Sequence, residues 1–331
     1  MADAHLTPIE VGLTAAIVAV EAEEPRILVA ADPKNEKTGS TRAGLPFGPF
    51  DPLSHRTFEI GLRNWVAAQT AITVGYVEQL YTFGDRGRHA QPSDTDPHSV
   101  SIGYLALTRS AEAKTDERGA WRTWYDYFPW EDWRAGCPAI LARDIVPRLK
   151  EWSERPRPAT SPVRPIKRAE RLRICFGLDG AHWDEEKVLE RFELLYEAGL
   201  VEEALRDGRE AALSWPAPLP RLGLPMRYDH RRILATAIGR IRAKIKWRPV
   251  VFELMTDEFT LFELQRTVEA ILGPHLHKQN FRRLVESAGL VEPTGEVRSK
   301  TGGRPAKLFR FRREVLLERP SPGVRVKLGR G

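Results

Sequence analysis

The chain has 331 residues, of which 42% are hydrophobic and 29% are charged, so its composition excludes wholesale disorder and predicts about two or three globular domains. No apolar run approaches the roughly 20 residues of a membrane-spanning helix, and residues 1–10 lack the features of a signal peptide, so we expect a cytoplasmic protein. Cys137 and Cys175 are far apart and outside any metal-ligand spacing, so the sequence supports neither a disulfide framework nor a zinc site.

The net charge of +6 is unevenly distributed along the sequence. Residues 260–331 hold 15 Lys and Arg against 7 Asp and Glu, whereas the preceding part of the chain is slightly acidic. A localised basic surface is typical of polyanion binding, because each neutralised phosphate releases condensed counterions. A solvated basic tail is the alternative interpretation.

Two stretches near the start of the chain predict a β-hairpin. Residues 11–20 and 26–31 are rich in β-branched residues, and the acidic sequence EAEEP separates them. Further strands are predicted at 74–83 and 100–108, and the Gly, Pro and Asp residues between them predict a long loop.

A helix is predicted over residues 57–72, between these two pairs of strands. Its apolar residues recur at a largely helical spacing, at Ile60, Trp65, Val66 and Ile72. Strands around a helix indicate an α/β or α+β arrangement for this first part of the chain.

The segment from 121 to 133, WRTWYDYFPWEDW, is dense in aromatic residues. Such clusters usually serve as core or interface anchors, and the acidic residues within this one argue against a base-stacking platform. A scaffold that binds a protein partner through these aromatic side chains is the alternative.

The following part of the chain predicts short helices between Pro-rich connectors. Helical spacing of apolar residues occurs over 139–152 and 184–208, and Gly199 divides the second of these runs into two helices. Prolines exclude helix over 155–165 and 214–225.

A longer helix is predicted over residues 228–245. Its apolar stripe, formed by Ile233, Leu234, Ile238, Ile241 and Ile245, indicates a packing or dimerisation helix. Its arginines are expected on a solvated face, with phosphate contact as the alternative; they are Arg231, Arg232, Arg240 and Arg242.

The C-terminal part predicts a winged helix-turn-helix. Thr260 and Glu263 form a capping-box pattern before an apolar helical run, and the Gly273-Pro274 pair then predicts a turn. A basic helix follows over 277–288, and two short apolar runs around a glycine-rich basic loop predict a hairpin wing. Such a domain inserts its second helix into the major groove of DNA, although the fold also serves in protein contacts.

The residues that we expect to contact DNA lie in this domain. The predicted set is Thr260, Lys278, Gln279, Asn280, Arg282, Arg283, Arg298, Lys300, Arg304 and Lys307. The side chains of the second helix would lie in or beside the major groove, and those of the wing would bind phosphate.

The sequence FTLFELQRTVEAILGPHLHKQNFRRLVESAGLVEPTGE, followed by GGRPAKLFRF, resembles the Nudix-related transcriptional regulators of NAD metabolism. Near the N-terminus, LPFGPFD at 45–51, GLRNWVAAQTAI at 61–72 and YVEQLYTFGDRGR at 76–88 also fit that family. Within that family, this sequence most resembles the branch that controls de novo NAD biosynthesis. The resemblance implies an α+β fold, with a catalytically degenerate Nudix-like α/β/α domain and a winged helix-turn-helix domain.

This resemblance divides the chain into four parts. The first part of the Nudix-like domain is expected at 1–130, a helical, Pro-rich insertion at 131–220, the last Nudix-like helix and a linker at 221–255, and the winged helix at 256–331.

The predicted helix at 57–72 departs from the pattern of active Nudix hydrolases. Those enzymes bind Mg²⁺ through paired glutamates on one helix face, whereas Glu59 is the only carboxylate near this helix. We therefore expect neither catalytic residues nor a metal site, and a regulator in place of an enzyme. The alternative is a Nudix hydrolase of ADP-ribose or NADH with an appended nucleic-acid-binding domain, using acids such as Asp85 or Asp96.

The family resemblance also implies a ligand and an assembly. The Nudix-like cleft would sense NAD, ATP, ADP or ADP-ribose as an effector, without a further cofactor. The candidate ligand-binding residues are Arg56, Arg63, Tyr81, Phe83, Asp85, Arg86 and Arg88. The expected protein is a homodimeric transcriptional repressor of NAD biosynthesis genes that binds a palindromic DNA operator.

Overall fold

The computed structural model describes residues 9–30, 43–70, 72, 74–84, 98–109, 119–156, 166–216, 218–299, 305–318 and 323–324. Eight β-strands lie in these ranges: β1 Ile9–Glu21, β2 Glu24–Ala30, β3 Phe47–Pro49, β4 Val77–Phe83, β5 His98–Leu107, β6 Gly119–Thr123, β7 Val291–Arg298 and β8 Ala306–Phe311. The same ranges hold ten α-helices: α1 Phe58–Thr70, α2 Val146–Glu154, α3 Arg168–Phe176, α4 Val188–Glu197, α5 Glu202–Arg206, α6 Glu210–Leu213, α7 His230–Trp247, α8 Leu261–Leu272, α9 Lys278–Ser287 and α10 Val315–Glu318. No helix within these ranges has the length and apolarity of a membrane span.

The first six strands form one mixed sheet with the order β4-β5-β1-β2-β6, and β3 pairs with the first half of β1. The two central strands, β1 and β5, run parallel, whereas β1 and β2 form the predicted antiparallel hairpin. Ala22 and Glu23 join this hairpin with positive φ angles, which matches the twist of a tight two-residue turn.

Successive side chains of β1 point to opposite faces of the sheet, and both faces are buried. Leu13 and Ile17 point towards α1, whose Leu62 and Val66 cover that face. Val18, together with its neighbours on the other face, packs in the cluster that contains the stripe of α7. The predicted α/β/α domain is therefore confirmed, with one helix on each side of the sheet.

The phase of α1 differs from the predicted one. Ile60 was expected on the apolar face, but it is 42% exposed, and Gly61 and Leu62 are buried in its place. Gly61 approaches the ring of His55 so closely that a Cβ atom would lie 2.9 Å from the ring nitrogen. A larger side chain at position 61 would clash with this ring, and the next residue, Leu62, packs against the sheet.

The aromatic segment lies in the core, as the sequence predicted. Trp124, Tyr127, Phe128 and Trp130 are each at most 1% exposed. Short 3-10 turns carry this segment across the end of β6 and place its rings between the sheet and the insertion.

The insertion packs its helices against α7. The predicted helix over 139–152 begins as a π-turn and continues as α2, and the second run forms α4 and α5. Gly199 divides α4 from α5 with a φ of 74°, as expected for a left-handed helix end. The helix α4 lies along α7, so α7 is enclosed between the sheet and the insertion.

The arginines of α7 correct one prediction from the sequence. The expected solvated face is wrong for three of them, because Arg231 and Arg242 are 1% exposed and Arg232 is 8% exposed. Each of these guanidinium groups binds a glutamate elsewhere in the chain. Of the four, only Arg240 has an exposed side chain, at 44% of its surface, and it pairs with Glu78.

Candidate functional site

The helix-turn-helix is built on a capping box and a small apolar core. The Thr260 hydroxyl accepts from the Glu263 backbone N–H at 3.1 Å, and a Glu263 carboxylate oxygen accepts from the Thr260 N–H at 2.8 Å. The face of α8 that includes Leu264 packs with Phe281 and Val285 of α9. This arrangement confirms the predicted start of α8 and the predicted inward face of α9.

Glu269 holds the turn between the two helices. Its carboxylate accepts hydrogen bonds from the Leu276 backbone N–H at 2.9 Å and from the Gln265 amide at 2.8 Å. Although burial disfavours its charge, these donors together with His275 and Arg266 hold the pKa of Glu269 below its usual value. A charged side chain of α8 thus holds the turn that leads into α9.

The exposed face of α9 carries the predicted DNA-reading side chains. The structure brings five of them together on one helix, all exposed: Lys278, Gln279, Asn280, Arg282 and Arg283. Only Phe281 and Val285 of the helix are buried, so its amphipathic character is strong. Cationic and amide side chains on a rigidly anchored helix are suited to contact phosphates and base edges.

The wing is the two-stranded antiparallel sheet of β7 and β8, in which Val291 pairs with Phe311 and Arg298 with Ala306. Lys307 is exposed on β8, where it can contact phosphate. The predicted wing residues Lys300 and Arg304 lie outside the described residues. The bridge between Phe259 and Phe309 joins this wing to the segment that leads into α8, two residues before the helix begins.

Two predicted DNA contacts have structural partners within the domain. Thr260 is 6% exposed, and its hydroxyl caps α8. The Arg298 guanidinium donates to a carboxylate oxygen of Glu263 at 2.5 Å, so Glu263 joins the start of α8 to the wing. Contact of Thr260 or Arg298 with DNA stays a prediction.

We expect Glu263→Gln and Arg298→Gln to weaken duplex binding by similar factors, and the double variant to be no weaker than either one. Glutamine keeps the capping box, because its side chain still accepts from the Thr260 N–H, but it loses the charge that holds Arg298. Fluorescence anisotropy with a labelled duplex measures the three affinities. Additive losses would show instead that Arg298 acts on DNA directly, without Glu263.

The predicted ligand-binding residues are placed in different surroundings. Arg63 donates to the carbonyl oxygens of Val74 and Gly75 and to Glu59, so its guanidinium stabilises the approach to β4. Phe83 is 5% exposed in the core, where the ring of Tyr81 contacts it edge-on.

The remaining candidates for the ligand divide into exposed and undescribed residues. Tyr81 is 66% exposed on the strand β4, and Arg56 is exposed just before α1. Asp85, Arg86 and Arg88 lie outside the described residues. A role of any of the seven in nucleotide binding stays a prediction.

Glu59 lies in the first turn of α1. Its carboxylate forms an ion pair with Arg63 one turn later, at 2.8 Å. Among the residues that the structure describes, no group of three or more His, Cys, Asp or Glu side chains is arranged to hold a metal ion.

A second cluster beside β3 was not identified from the sequence. The Leu45 backbone N–H donates to Nδ1 of His230 at 3.0 Å, and the rings of Phe47, Tyr228 and His230 meet edge-on. The Arg227 guanidinium lies 5.2 Å from the Phe47 ring centre. These contacts connect the start of α7 with β3 and the residues just before it. Leu45 and His230 are 185 residues apart in the sequence, so no local pattern could have revealed this cluster.

Comparison with known proteins places the winged helix in a family. Residues 251–311 match the model of the NrtR DNA-binding winged helix domain. A segment of 98 residues is 40% identical to the ADPR responsive transcriptional repressor NtrR of Acinetobacter baylyi, covering 29% of this chain. The match spans 38% of the length of that repressor.

Solved structures share the fold over nearly the whole chain. Shewanella oneidensis NrtR in complex with a 27mer DNA superposes with a TM-score of 0.53 at 18% identity, covering 92% of this chain and 94% of that one. A MutT/nudix family protein from Enterococcus faecalis gives a TM-score of 0.50 at 13% identity, with 93% and 88% covered. The chain therefore has the fold of a Nudix-like domain joined to a winged helix domain, and the winged helix matches the NrtR type.

Proposed function

We propose that the protein is a sequence-specific DNA-binding transcriptional repressor whose Nudix-like domain binds an adenine nucleotide. The observation that carries the proposal is the exposed cationic and amide face of α9, held by Phe281 and Val285 in a domain of the NrtR type. The basic surplus of residues 260–331 supports the same interpretation, because phosphate neutralisation supplies most of the affinity for DNA.

The effector we propose is ADP-ribose, within the wider set of NAD, ATP and ADP. The 40% identical segment belongs to a repressor described as ADPR responsive, which supports this choice. The set of regulated genes that we propose is that of NAD biosynthesis, because a nucleotide derived from NAD reports on its supply. No catalytic residue and no metal takes part in this function.

We further propose a homodimer that binds a palindromic operator. Two copies of α9, related by a twofold axis, would read two half-sites about one helical turn of DNA apart. Sedimentation equilibrium with and without an operator duplex tests this assembly. The three domain boundaries predicted from the sequence, after residues 130, 220 and 255, are retained as part of the proposal.

The decisive experiment measures binding of the full chain to duplexes from the promoters of its own gene and of NAD biosynthesis genes. We expect specific binding at physiological salt, and a shift of affinity when ADP-ribose is added. Random duplexes of equal length are the control. Equal affinity for all duplexes would contradict a repressor, and release of phosphate-containing products from ADP-ribose with Mg²⁺ would favour the hydrolase alternative.

Gln279→Ala should distinguish base reading from phosphate binding. Loss of a base contact is expected to cost about 1 to 3 kcal/mol on the operator and much less on random DNA. Lys307→Ala, by contrast, should weaken all duplexes alike and reduce the slope of log affinity against log salt by about 1. Anisotropy titrations at several salt concentrations measure both. Equal losses for Gln279→Ala on operator and random DNA would remove the base-reading role.

A further inference from the structure

The helix α7 contacts both functional parts of the molecule. Its first turn holds the loop before β3 through the hydrogen bond from Leu45 to His230. Near its other end, Arg242 donates from Nε to the carbonyl oxygen of Ile271 in α8, at 2.9 Å. A single helix therefore joins the Nudix-like sheet to the winged helix.

The contact with α8 is centred on a buried group of charges. Glu131 is 0% exposed, and its carboxylate accepts from the guanidinium groups of Arg191 at 2.6 and 2.9 Å and of Arg242 at 2.7 Å. Carbonyl oxygens of Cys175 and Asp184 accept further N–H groups of Arg191. We call Glu131, Arg191 and Arg242 the charge triad. Glu131 lies where the aromatic segment meets the insertion, Arg191 lies in α4 of the insertion, and Arg242 lies in α7.

The charge triad reaches the carboxyl end of α8. The last carbonyl groups of any α-helix lack partners within the helix. Here the Tyr125 hydroxyl donates to the carbonyl oxygen of Ala270 at 3.2 Å, and Arg242 donates to that of Ile271. A cation at this end also interacts favourably with the helix dipole. Side chains of the Nudix-like part thus cap α8, the first helix of the winged helix domain.

The insertion binds α7 along its length through further ion pairs. Glu203 contacts Arg231 at 3.1 Å, Glu193 contacts Arg232, and Glu186 contacts Lys246 at 2.6 Å. Each acid belongs to the insertion, and each base belongs to α7. The insertion therefore supplies the wall against which α7 is held, opposite the sheet.

We propose that Arg191 is a positioning residue for the winged helix. Arg191 lies in α4 and binds Glu131, which in turn binds Arg242 at the end of α8. Arg191 thereby sets the position of the winged helix domain relative to the Nudix-like sheet. The insertion would then hold the contact between the Nudix-like domain and the winged helix domain in one arrangement. The consequence for DNA binding rests on the proposed function, whereas the positional claim does not.

Pulsed electron paramagnetic resonance can measure this position in the full chain without DNA or nucleotide. Spin labels at Asn64→Cys in α1 and Glu286→Cys in α9 occupy exposed sites on the two domains. Cys137→Ser removes the exposed native thiol. Dilution with unlabelled protein suppresses distances between subunits. The parent protein should give one narrow distance distribution.

Arg191→Gln should broaden that distribution, or shift its mean by more than the parent width. Arg173→Gln is the matched control, because it makes the same substitution in the same insertion but removes an exposed pair with Glu170. It should leave the distribution unchanged. A lower melting temperature of Arg191→Gln with an unchanged distribution would overturn the proposal, since a purely stabilising role predicts that result.

Two milder variants cover the case in which Arg191→Gln does not fold. Arg191→Lys keeps the charge but loses the paired hydrogen bonds to Glu131, and Lys246→Gln removes a half-buried support of α7. Broadening in Arg191→Lys supports the role of Arg191, and broadening in Lys246→Gln supports the role of the insertion in holding α7. A parent-like distribution in both would overturn it. Because no duplex is present in this experiment, its result does not depend on whether the protein binds DNA.

Discussion

Replacing Glu131 by glutamine is expected to lower the free energy of unfolding by about 3 to 5 kcal/mol, because it leaves two buried guanidinium groups without their counter-charge. Arg191 and Arg242 are at most 1% exposed, so water cannot replace the lost carboxylate. Urea denaturation followed by tryptophan fluorescence measures the change. Glu170→Gln, which removes an exposed carboxylate of the insertion, should leave the midpoint unchanged.

The same variant should change the response to acid. Burial opposes the charge of Glu131, but Arg191 and Arg242 outweigh it and hold the pKa of this carboxyl below its usual value of 4.5. A depressed folded pKa contributes stability above the unfolded pKa, and that contribution is lost as pH falls through the folded value. Stability of the parent protein should therefore fall more steeply below pH 4.5 than that of Glu131→Gln. Parallel curves for the two proteins would contradict an ionised Glu131.

Phe281→Ala should destabilise the helix-turn-helix by about 3 to 5 kcal/mol, as expected for removal of a buried phenyl ring. Phe281 is 1% exposed and anchors α9 to α8, so the variant should lose duplex binding although every exposed side chain of α9 is retained. Hydrogen exchange should increase over residues 261–311 and much less in the strands β1 and β5.

Leu284→Ala is the control on the same helix. Leu284 is only half-buried, so its truncation should have a smaller effect on exchange and on duplex affinity. Nucleotide binding by the Nudix-like domain should survive both changes, and isothermal titration with ADP-ribose measures it. Wild-type duplex affinity of Phe281→Ala would show that α9 does not need this anchor to read DNA.

The elements that could be predicted from the sequence are those set by local patterns. The capping box of Thr260 and Glu263 lies within four residues, and the hairpin of β1 and β2 closes through a two-residue turn. The glycine-rich wing and the inward face of α9 follow from turn chemistry and helical spacing in the same way. Local patterns of this kind were enough to predict the winged helix domain and the central strands of the sheet.

The features that the sequence did not reveal depend on pairing over long distances. Arg242 lies 111 residues from Glu131, and Arg191 lies 60 residues from it. A helix with several arginines beside an apolar stripe is usually solvated on its polar face, and only the fold shows that another layer covers this one. The role of Arg63 at the approach to β4 escaped prediction for the same reason, since its acceptors are carbonyl oxygens, which carry no side-chain signature.

The buried charge triad also constrains how this protein can evolve. Replacing the three members together by apolar residues of similar volume could cost little stability, whereas changing any one alone leaves an unpaired charge in the interior. A single substitution that removes the charge of Glu131, Arg191 or Arg242 is therefore expected to lower the stability of the fold. Because each of the three charges depends on the other two, we expect a substitution at one of these positions to be tolerated only together with changes at the others.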